Sequence, residues 1–245
     1  KLRDNSEDEL LWIQGFSAFM VSAETSNPIS QEFMCHSNLD LDMQKHREIF
    51  GWQKFPNRRL FTLSQGQQTI KFPEGFGLVL LGSEELELNT QVLHLNWDGK
   101  PLDVRHQITI DYVRGSELKR PLKPLFMVAA NALVLVEGDD GYFHIEKPNP
   151  AEHGEGCLVG APATKHGRLW DDPYGKTFSG HWQVPPGKQI NHTNVSAYLD
   201  IPFDTRVHYI AVHLHPFSES LELRDITANK SVYTSYVRNS EDRVG

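Results

Sequence analysis

Two histidines placed two residues apart, His213 and His215, have the spacing in this chain that best suits metal chemistry. They lie in residues 207–216, where apolar residues alternate in a pattern that predicts a β-strand. In a strand, side chains at positions i and i+2 point to the same face, so the two imidazoles would project side by side. Two neutral imidazoles held in this way can chelate a borderline transition metal such as copper or zinc. The spacing alone leaves open a second interpretation, in which both are half-buried histidines with backbone partners.

Two further segments carry candidate ligands. Cys35 and His36 are adjacent in an early predicted strand, so they face opposite sides and reach one metal ion only if the strand bulges. The alternative is a buried structural cysteine beside a half-exposed histidine. His94 lies on a later predicted strand, where an isolated histidine is more often a core residue than a ligand. His208, five residues before His213, would face the other way, and we interpret it as structural.

The elements that must position these side chains are predicted to be β-strands almost throughout. A short helix is predicted at 39–50 and a long loop rich in Gly, Pro, His and Asp at 148–177. Many brief strands separated by turn residues favour a β-sandwich or jelly-roll fold. The predicted strands are 11–22, 30–41, 59–63, 69–72, 77–81, 86–96, 103–113, 125–136, 178–184, 190–200, 207–215, 220–226 and 231–237.

Composition limits the classes of partner. The net charge is -8 and no run of Lys and Arg exceeds three residues, which disfavours nucleic acid as a partner. No apolar run is long enough for a transmembrane segment. Because residue 1 is Lys and no signal-like segment follows, we expect a processed or trimmed form. Two cysteines make no disulfide framework, and a pairing of Cys35 with Cys157 stays open.

Taken in order, four segments resemble the copper type II, ascorbate-dependent monooxygenases, the family that includes the peptidylglycine α-hydroxylating and dopamine β-monooxygenases. Cys35-His36 falls where the family carries a His-His pair. The turn at 71–77 and the strand that ends at His94 are similar to the family's turn, strand and lone copper-binding histidine. The Pro-Pro-Gly-Lys turn at 185–188 and the strand into His213-Leu-His215 are similar to the segment that leads into its His-x-His. The resemblance covers residues 32–224.

The resemblance implies an all-β chain with two jelly-roll β-sandwich domains in tandem, 1–127 and 128–245, the second expected to be truncated. It also implies two copper sites. His36 and His94, with Cys35 as a further candidate ligand, would hold an electron-storing copper in the first domain. His213 and His215 would hold the catalytic copper in the second domain. There O2 and an external one-electron reductant such as ascorbate would hydroxylate a C–H bond of a small-molecule or peptide substrate.

The chain departs from the family at several positions. Cys35 replaces the first histidine of the His-His pair, and no methionine follows Met127, although the family has a methionine ligand downstream of His-x-His. Ala211 stands where the peptide-amidating branch carries a basic residue, which disfavours a peptide-glycine substrate. His46 and His106 are further candidate imidazoles. The absence of dense disulfides indicates a bacterial relative, expected to be secreted or periplasmic.

Two other classes of function remain open at this stage. A non-catalytic copper-binding or copper-handling protein on the same scaffold is favoured by Cys35 and by the missing methionine. A jelly-roll module that binds carbohydrate or protein would leave the histidines incidental and would use an aromatic groove. Its candidate aromatic residues are Trp170, Tyr174 and Trp182. A zinc hydrolase is disfavoured, because no carboxylate lies at helical spacing from a histidine pair.

Overall fold

The computed structural model describes residues 9–51, 58–93, 99, 101–125, 127–135, 169–171, 174–180, 184–199, 201 and 203–238. Within these ranges the chain is all-β, with two short α-helices, α1 (Met43–Phe50) and α2 (Ser196–Leu199). The strands are β1 (Leu10–Ser22), β2 (Met34–Leu41), β3 (Arg59–Leu63), β4 (Thr69–Lys71), β5 (Phe76–Leu81), β6 (Leu86–Val92), β7 (Val104–Arg114), β8 (Lys123–Pro124), β9 (Val134–Leu135), β10 (Leu169–Asp171), β11 (Thr177–Ser179), β12 (Ser220–Asp225) and β13 (Lys230–Tyr236).

The first sheet is built around β1, which pairs along its length with β7 from Leu11 to Ser22. The other edge of β1 pairs first with β5 and then with β4, both antiparallel. Gly15 follows a register shift in β1, and a Cβ at this position would lie 3.0 Å from the carbonyl oxygen of Ile70. A glycine therefore lets β4 approach β1 at this bulge. β8 adds to the free edge of β5 in parallel.

The second sheet has the order β3-β2-β6, and apolar side chains join it to the first. Phe16 of β1 stacks on Phe61 of β3 at a centroid distance of 5.1 Å, and Phe61 stacks on Phe72 at 5.6 Å. Replacing a buried Phe with Ala typically costs about 3–5 kcal/mol, so these rings are a large part of what joins the two layers. The other buried members of this core are Leu11, Ile13, Ala18, Met20, Met34, Leu39, Leu41, Leu60, Leu63, Ile70, Leu78 and Leu80.

The helix α1 begins later than the predicted start at residue 39, because β2 continues to Leu41. Asp42 caps it by accepting hydrogen bonds from the backbone N–H groups of Gln44 and Lys45. It ends at Gly51, whose φ of +67° is the left-handed conformation that glycine adopts most readily. Its one fully buried side chain, His46, packs on Phe50 at a centroid distance of 4.6 Å.

The chain divides into two compact units, Lys1–Met127 together with Thr205–Gly245, and Val128–Asp204. This division differs from the predicted one, in which 128–245 form one domain. Residues after 204 belong with the first unit because Tyr209 packs against its apolar core. In the second unit, β11 pairs with β9 and β10, and the Thr193 hydroxyl donates a hydrogen bond of 2.9 Å to the carbonyl oxygen of Leu133.

Several predicted strands are absent or shorter in the described residues, three of them markedly. Residues 207–215 belong to no strand, residues 190–200 contain the helix α2 instead, and only Val134–Leu135 is a strand in the described part of 125–136. Alternating apolar residues form a strand only where a partner strand pairs with them, and Val207 is 61% exposed. β12 and β13 match two predicted strands closely and form an antiparallel hairpin. No helix in the described ranges is long and apolar enough to cross a membrane.

Candidate metal centre

His213 and His215 lie side by side although their segment is not a strand. Their Nε2 atoms are 3.1 Å apart, and their ring centroids are 4.9 Å apart with the planes nearly perpendicular at 87°. His213 is half-buried and His215 is exposed. The predicted juxtaposition of these two imidazoles therefore exists, and it is produced by the local course of the chain rather than by strand geometry.

The distance between the two nitrogens fits a chelate. Imidazole nitrogens bind zinc at about 2.0–2.1 Å, and two such nitrogens lie about 3.1 Å apart when the angle at the metal is about 100°. In the metal-free pair, one Nε2 atom can donate its proton to the other only if the second is unprotonated. The Nδ1 atom of His213 is buried and has no hydrogen-bond partner among the described residues. The pair thus presents two converging nitrogens, which fits a metal ion.

His36 approaches this pair from β2. Its ring lies 6.4 Å from that of His213, centroid to centroid, with the planes at 85°. The pairing of β2 with β6 shifts register between Met34 and His36, so Cys35 is the extra residue of a bulge. The bulge breaks the simple alternation of faces at this point, and both Cys35 and His36 are half-buried. We call His36, His213 and His215 the histidine cluster.

Burial and nearby positive charges lower the pKa of two members of the cluster, His36 and His213. Burial, reinforced by His215, His36 and Arg59, lowers the pKa of His213 to about 4. Burial also lowers the pKa of His36, with smaller contributions from Arg59, His215 and His106. The pKa of His106 on β7 is lowered by burial, an effect that the nearby backbone of Gln91 partly opposes. Neutral imidazoles are the form that binds metal ions, so His36 and His213 need little proton release to bind one.

Arg59, the cation beside the cluster, is held by Asp40 on the neighbouring strand. Its Nε donates to Asp40 Oδ1 at 2.7 Å, and its second terminal nitrogen donates to Oδ2 at 3.2 Å. Arg58 lies 3.3 Å from the same carboxylate, and Asn89 donates to it at 3.2 Å. Burial alone would raise the pKa of Asp40, but the Arg59 hydrogen bond and the two arginine charges outweigh it and lower the pKa. The buried carboxylate therefore offsets the positive charge next to the histidines.

Aromatic contacts anchor the segment that carries His213 and His215. Tyr209 packs edge-on against Phe72 at a centroid distance of 5.6 Å, and His208 lies against Phe76 at 4.4 Å. Phe72 in turn stacks on Phe61, so a continuous series of rings runs from the core to the segment. His208, which we interpreted as structural, is exposed and has the Phe76 ring as its observed contact.

The other predicted site residues have different positions. His94, Cys157 and Trp182 lie outside the described residues. The buried side chains of His46 and Glu84 are joined through Nδ1 and Oε1 at 2.5 Å. His46 therefore helps to attach α1 to the turn between β5 and β6. Tyr174 is 89% exposed in the second unit. The described residues hold no group of three or more His, Cys, Asp or Glu side chains already arranged around one point, so neither Cys35 nor His106 joins a preformed metal site.

The candidate ligands are distributed over the two units differently from the predicted domains. His36 and the pair His213 and His215, assigned to separate sites by the resemblance, lie in the same unit with their rings close together. Sequence reasoning did not identify Asp40 and Arg59 as neighbours of the site. A signal existed, since an acidic residue stands between two leucines in β2 and an Arg-Arg pair opens β3.

Comparisons with family models, with curated proteins and with solved structures find no match to this chain. The resemblance to the copper monooxygenases therefore rests on the four ordered segments alone. The geometry of the histidine cluster stands independently of it.

Proposed function

We propose that this protein binds copper through His213 and His215 and uses it to hydroxylate a C–H bond with O2 and an external one-electron reductant such as ascorbate. The observation that carries the proposal is the separation of 3.1 Å between the two Nε2 atoms, which suits two nitrogens on one ion. The order of the four segments that resemble the copper monooxygenases supports the choice of reaction.

Copper is the favoured ion for chemical reasons. Imidazole suits zinc, copper, iron and nickel, and copper(II) binds a given nitrogen site most tightly among the divalent first-row metals. The cluster offers only nitrogen ligands in the described residues, with no carboxylate among them, which disfavours calcium and magnesium. The lowered pKa of His213 leaves its nitrogen available at neutral pH.

A bound copper ion would supply one-electron redox chemistry and a place for O2. The two histidines would bind the ion. His213 is half-buried, and His215 is exposed, so the pair is accessible from solvent. The overall reaction inserts one atom of O2 into the C–H bond of the substrate. The other atom is reduced to water by two electrons and two protons, and the electrons come from the external donor one at a time.

A non-catalytic copper-binding protein is the second candidate. It is supported by the small preformed ligand set, since the described residues hold no group of three or more ligand side chains around one point. A two-nitrogen chelate of this kind holds copper less firmly than a complete ligand set and suits transfer to another protein.

The decisive experiment measures copper and oxygen chemistry in the same preparations. The full-length protein, His213→Ala and His215→Ala are loaded with copper(II), desalted and analysed for metal, with His192→Ala as a matched control on an exposed histidine of the other unit. We expect copper in the unchanged protein and in the control, and none retained in the other two variants. Absence of copper from the unchanged protein would contradict both candidates.

Turnover separates the two candidates. The copper-loaded protein is supplied with ascorbate, a panel of small-molecule and peptide substrates and ¹⁸O-labelled O2. Incorporation of one labelled atom into a product, lost in His213→Ala, supports hydroxylation. Copper binding with no labelled product, together with release of copper to a competing chelator, supports the second candidate.

A further inference from the structure

Three imidazoles from two distant parts of the chain meet in the first unit. His36 belongs to β2, whereas His213 and His215 follow the second unit in sequence. The centroid separations are 4.9 Å within the pair and 6.4 Å from His213 to His36. His36 thus brings an imidazole from another part of the first unit into contact with the pair.

Simple geometry limits how far apart two imidazoles on one ion can be. With a metal–nitrogen distance of about 2.05 Å, each ring centroid lies about 3.2 Å from the ion, so two centroids are about 4.5 Å apart at a right angle and about 6.4 Å apart when opposite. The observed 4.9 Å lies inside this range and the observed 6.4 Å lies at its upper limit. The described residues hold no group of three ligands already arranged around one point, so the His36 side chain must turn toward the pair for all three imidazoles to bind one ion.

The segment that carries the pair is attached by side chains alone. Residues 205–215 contain no helix or strand, and residues 205–214 take part in no backbone–backbone hydrogen bond with another described residue. The observed attachments are the ring contacts of Tyr209 on Phe72 and of His208 on Phe76, together with a hydrogen bond between the Tyr209 hydroxyl and the backbone of Lys71. A segment held in this way opens more easily than one paired in a sheet.

We propose that one copper ion binds His36, His213 and His215 together and thereby fastens residues 205–216 to β2. This inference rests on the proposed copper binding by His213 and His215, and it adds a third ligand and a structural consequence. The ion links two parts of the chain that share no sheet, so binding stabilises the closed position of the segment. The neighbouring Arg59 does not oppose this strongly, because Asp40 holds its charge.

The structure supplies a reporter for the test. Arg206 is exposed and lies within the loosely attached segment, so trypsin cleavage after Arg206 reports its opening. The full-length protein, His36→Ala, His36→Gln, His213→Ala and the control His192→Ala are treated with trypsin, with and without copper(II) and without reductant. Cleavage after Arg206 is followed by mass spectrometry, and copper affinity is measured by competition with a chelator of known affinity. Circular dichroism identifies any variant that has not folded, and His36→Gln replaces His36→Ala if the latter fails.

We expect copper to slow cleavage after Arg206 by at least about tenfold in the unchanged protein and in His192→Ala. Losing an intramolecular third ligand should weaken copper binding about a hundredfold, so the His36 variants should keep weak binding through His213 and His215 but lose the protection. Equal affinity and equal protection in the His36 variants would overturn the inference and leave the proposed function intact. No copper binding by the unchanged protein would overturn the proposed function, and the inference with it.

Discussion

The ring of His36 lies 6.4 Å from the ring of His213, centroid to centroid, although one belongs to β2 near the start of the chain and the other to a segment near its end. Both belong to the same compact unit. Because burial and the charge of Arg59 contribute to a lowered pKa in both, the two imidazoles meet in the unprotonated form. The stability of the protein and its proposed copper affinity should therefore depend on this contact and on the residues that position the two rings.

Copper should raise the melting temperature of the protein. A ligand that binds only the folded state at a hundred times its Kd adds about 2.7 kcal/mol, which corresponds to a shift of about 5–10 °C for a chain of this size. We expect this shift in differential scanning calorimetry of the unchanged protein and its absence in His213→Ala. A shift of equal size in His213→Ala would place the copper elsewhere.

Asp40→Asn should lower stability and change its dependence on pH. The pKa of Asp40 is lower in the folded protein than its ordinary value, so its ionised form stabilises the fold above about pH 4 and this contribution is lost as the pH falls through the folded value. The loss at pH 7 should be about 1–3 kcal/mol, because Arg59 and Arg58 are partly exposed.

The measurement for Asp40 is urea unfolding between pH 2 and pH 7. The variant should show a smaller decrease in unfolding free energy below about pH 4 than the unchanged protein. Glu87→Gln is the matched control, since Glu87 pairs with Arg58 at the exposed surface and should change stability by less than about 1 kcal/mol. Parallel pH profiles for Asp40→Asn and the unchanged protein would refute the assignment.

His46→Ala should destabilise the protein and leave copper binding unchanged. His46 is bonded to Glu84 in the core, and its removal leaves a buried carboxylate with a missing partner, at a cost of about 1–3 kcal/mol. Gln44→Ala on the exposed side of α1 should cost less than about 0.5 kcal/mol and serves as control. A loss of copper affinity in His46→Ala would show that this imidazole contributes to the site after all.

Tyr209 should contribute to metal affinity mainly through its ring, with a smaller contribution from its hydroxyl, which forms a hydrogen bond with the backbone of Lys71. Tyr209→Phe preserves the contact with Phe72, whereas Tyr209→Ala removes the anchor of the segment that carries the histidine pair. An aromatic pair contributes about 0.5–1.5 kcal/mol beyond its buried area, so we expect up to about tenfold weaker copper binding in Tyr209→Ala. Chelator competition with both variants measures the difference, and equal weakening in both would implicate the hydroxyl.

Cys35→Ser should leave copper affinity within about twofold of the unchanged protein. Cys35 is the extra residue of the bulge in β2, and the described residues hold no group of three ligands that includes it. Chelator competition under reducing conditions is the measurement. A much larger loss would identify Cys35 as a copper ligand, as the resemblance to the monooxygenases allows.

Local patterns predicted much of the fold. β3 matches its predicted bounds, and β1, β7, β12 and β13 differ from theirs by one or two residues, because each has both the alternating pattern and a partner strand. The strand predicted at 207–215 is absent, since the same alternation there serves to place Tyr209 on the core. A pattern within one segment does not reveal whether a partner strand exists.

The candidate site was predictable in part. The spacing of His213 and His215 predicted their adjacency correctly, although for a strand that is not present. The approach of His36 was not predictable, because it depends on how residues 205–216 return to the first unit. The position of Arg59 beside the cluster was not predictable either, because it depends on the pairing of β3 with β2.

The interruption of the first unit by residues 128–204 has a consequence for biosynthesis. A ribosome releases β2, with His36, well before it releases His213, and the whole second unit is made in between. During that interval the growing chain has only His36 of the histidine cluster, and the Phe72 ring lacks its contact with Tyr209. Copper binding through all three histidines, as proposed above, would therefore require that residues 205–216 have been synthesised and have packed against the first unit.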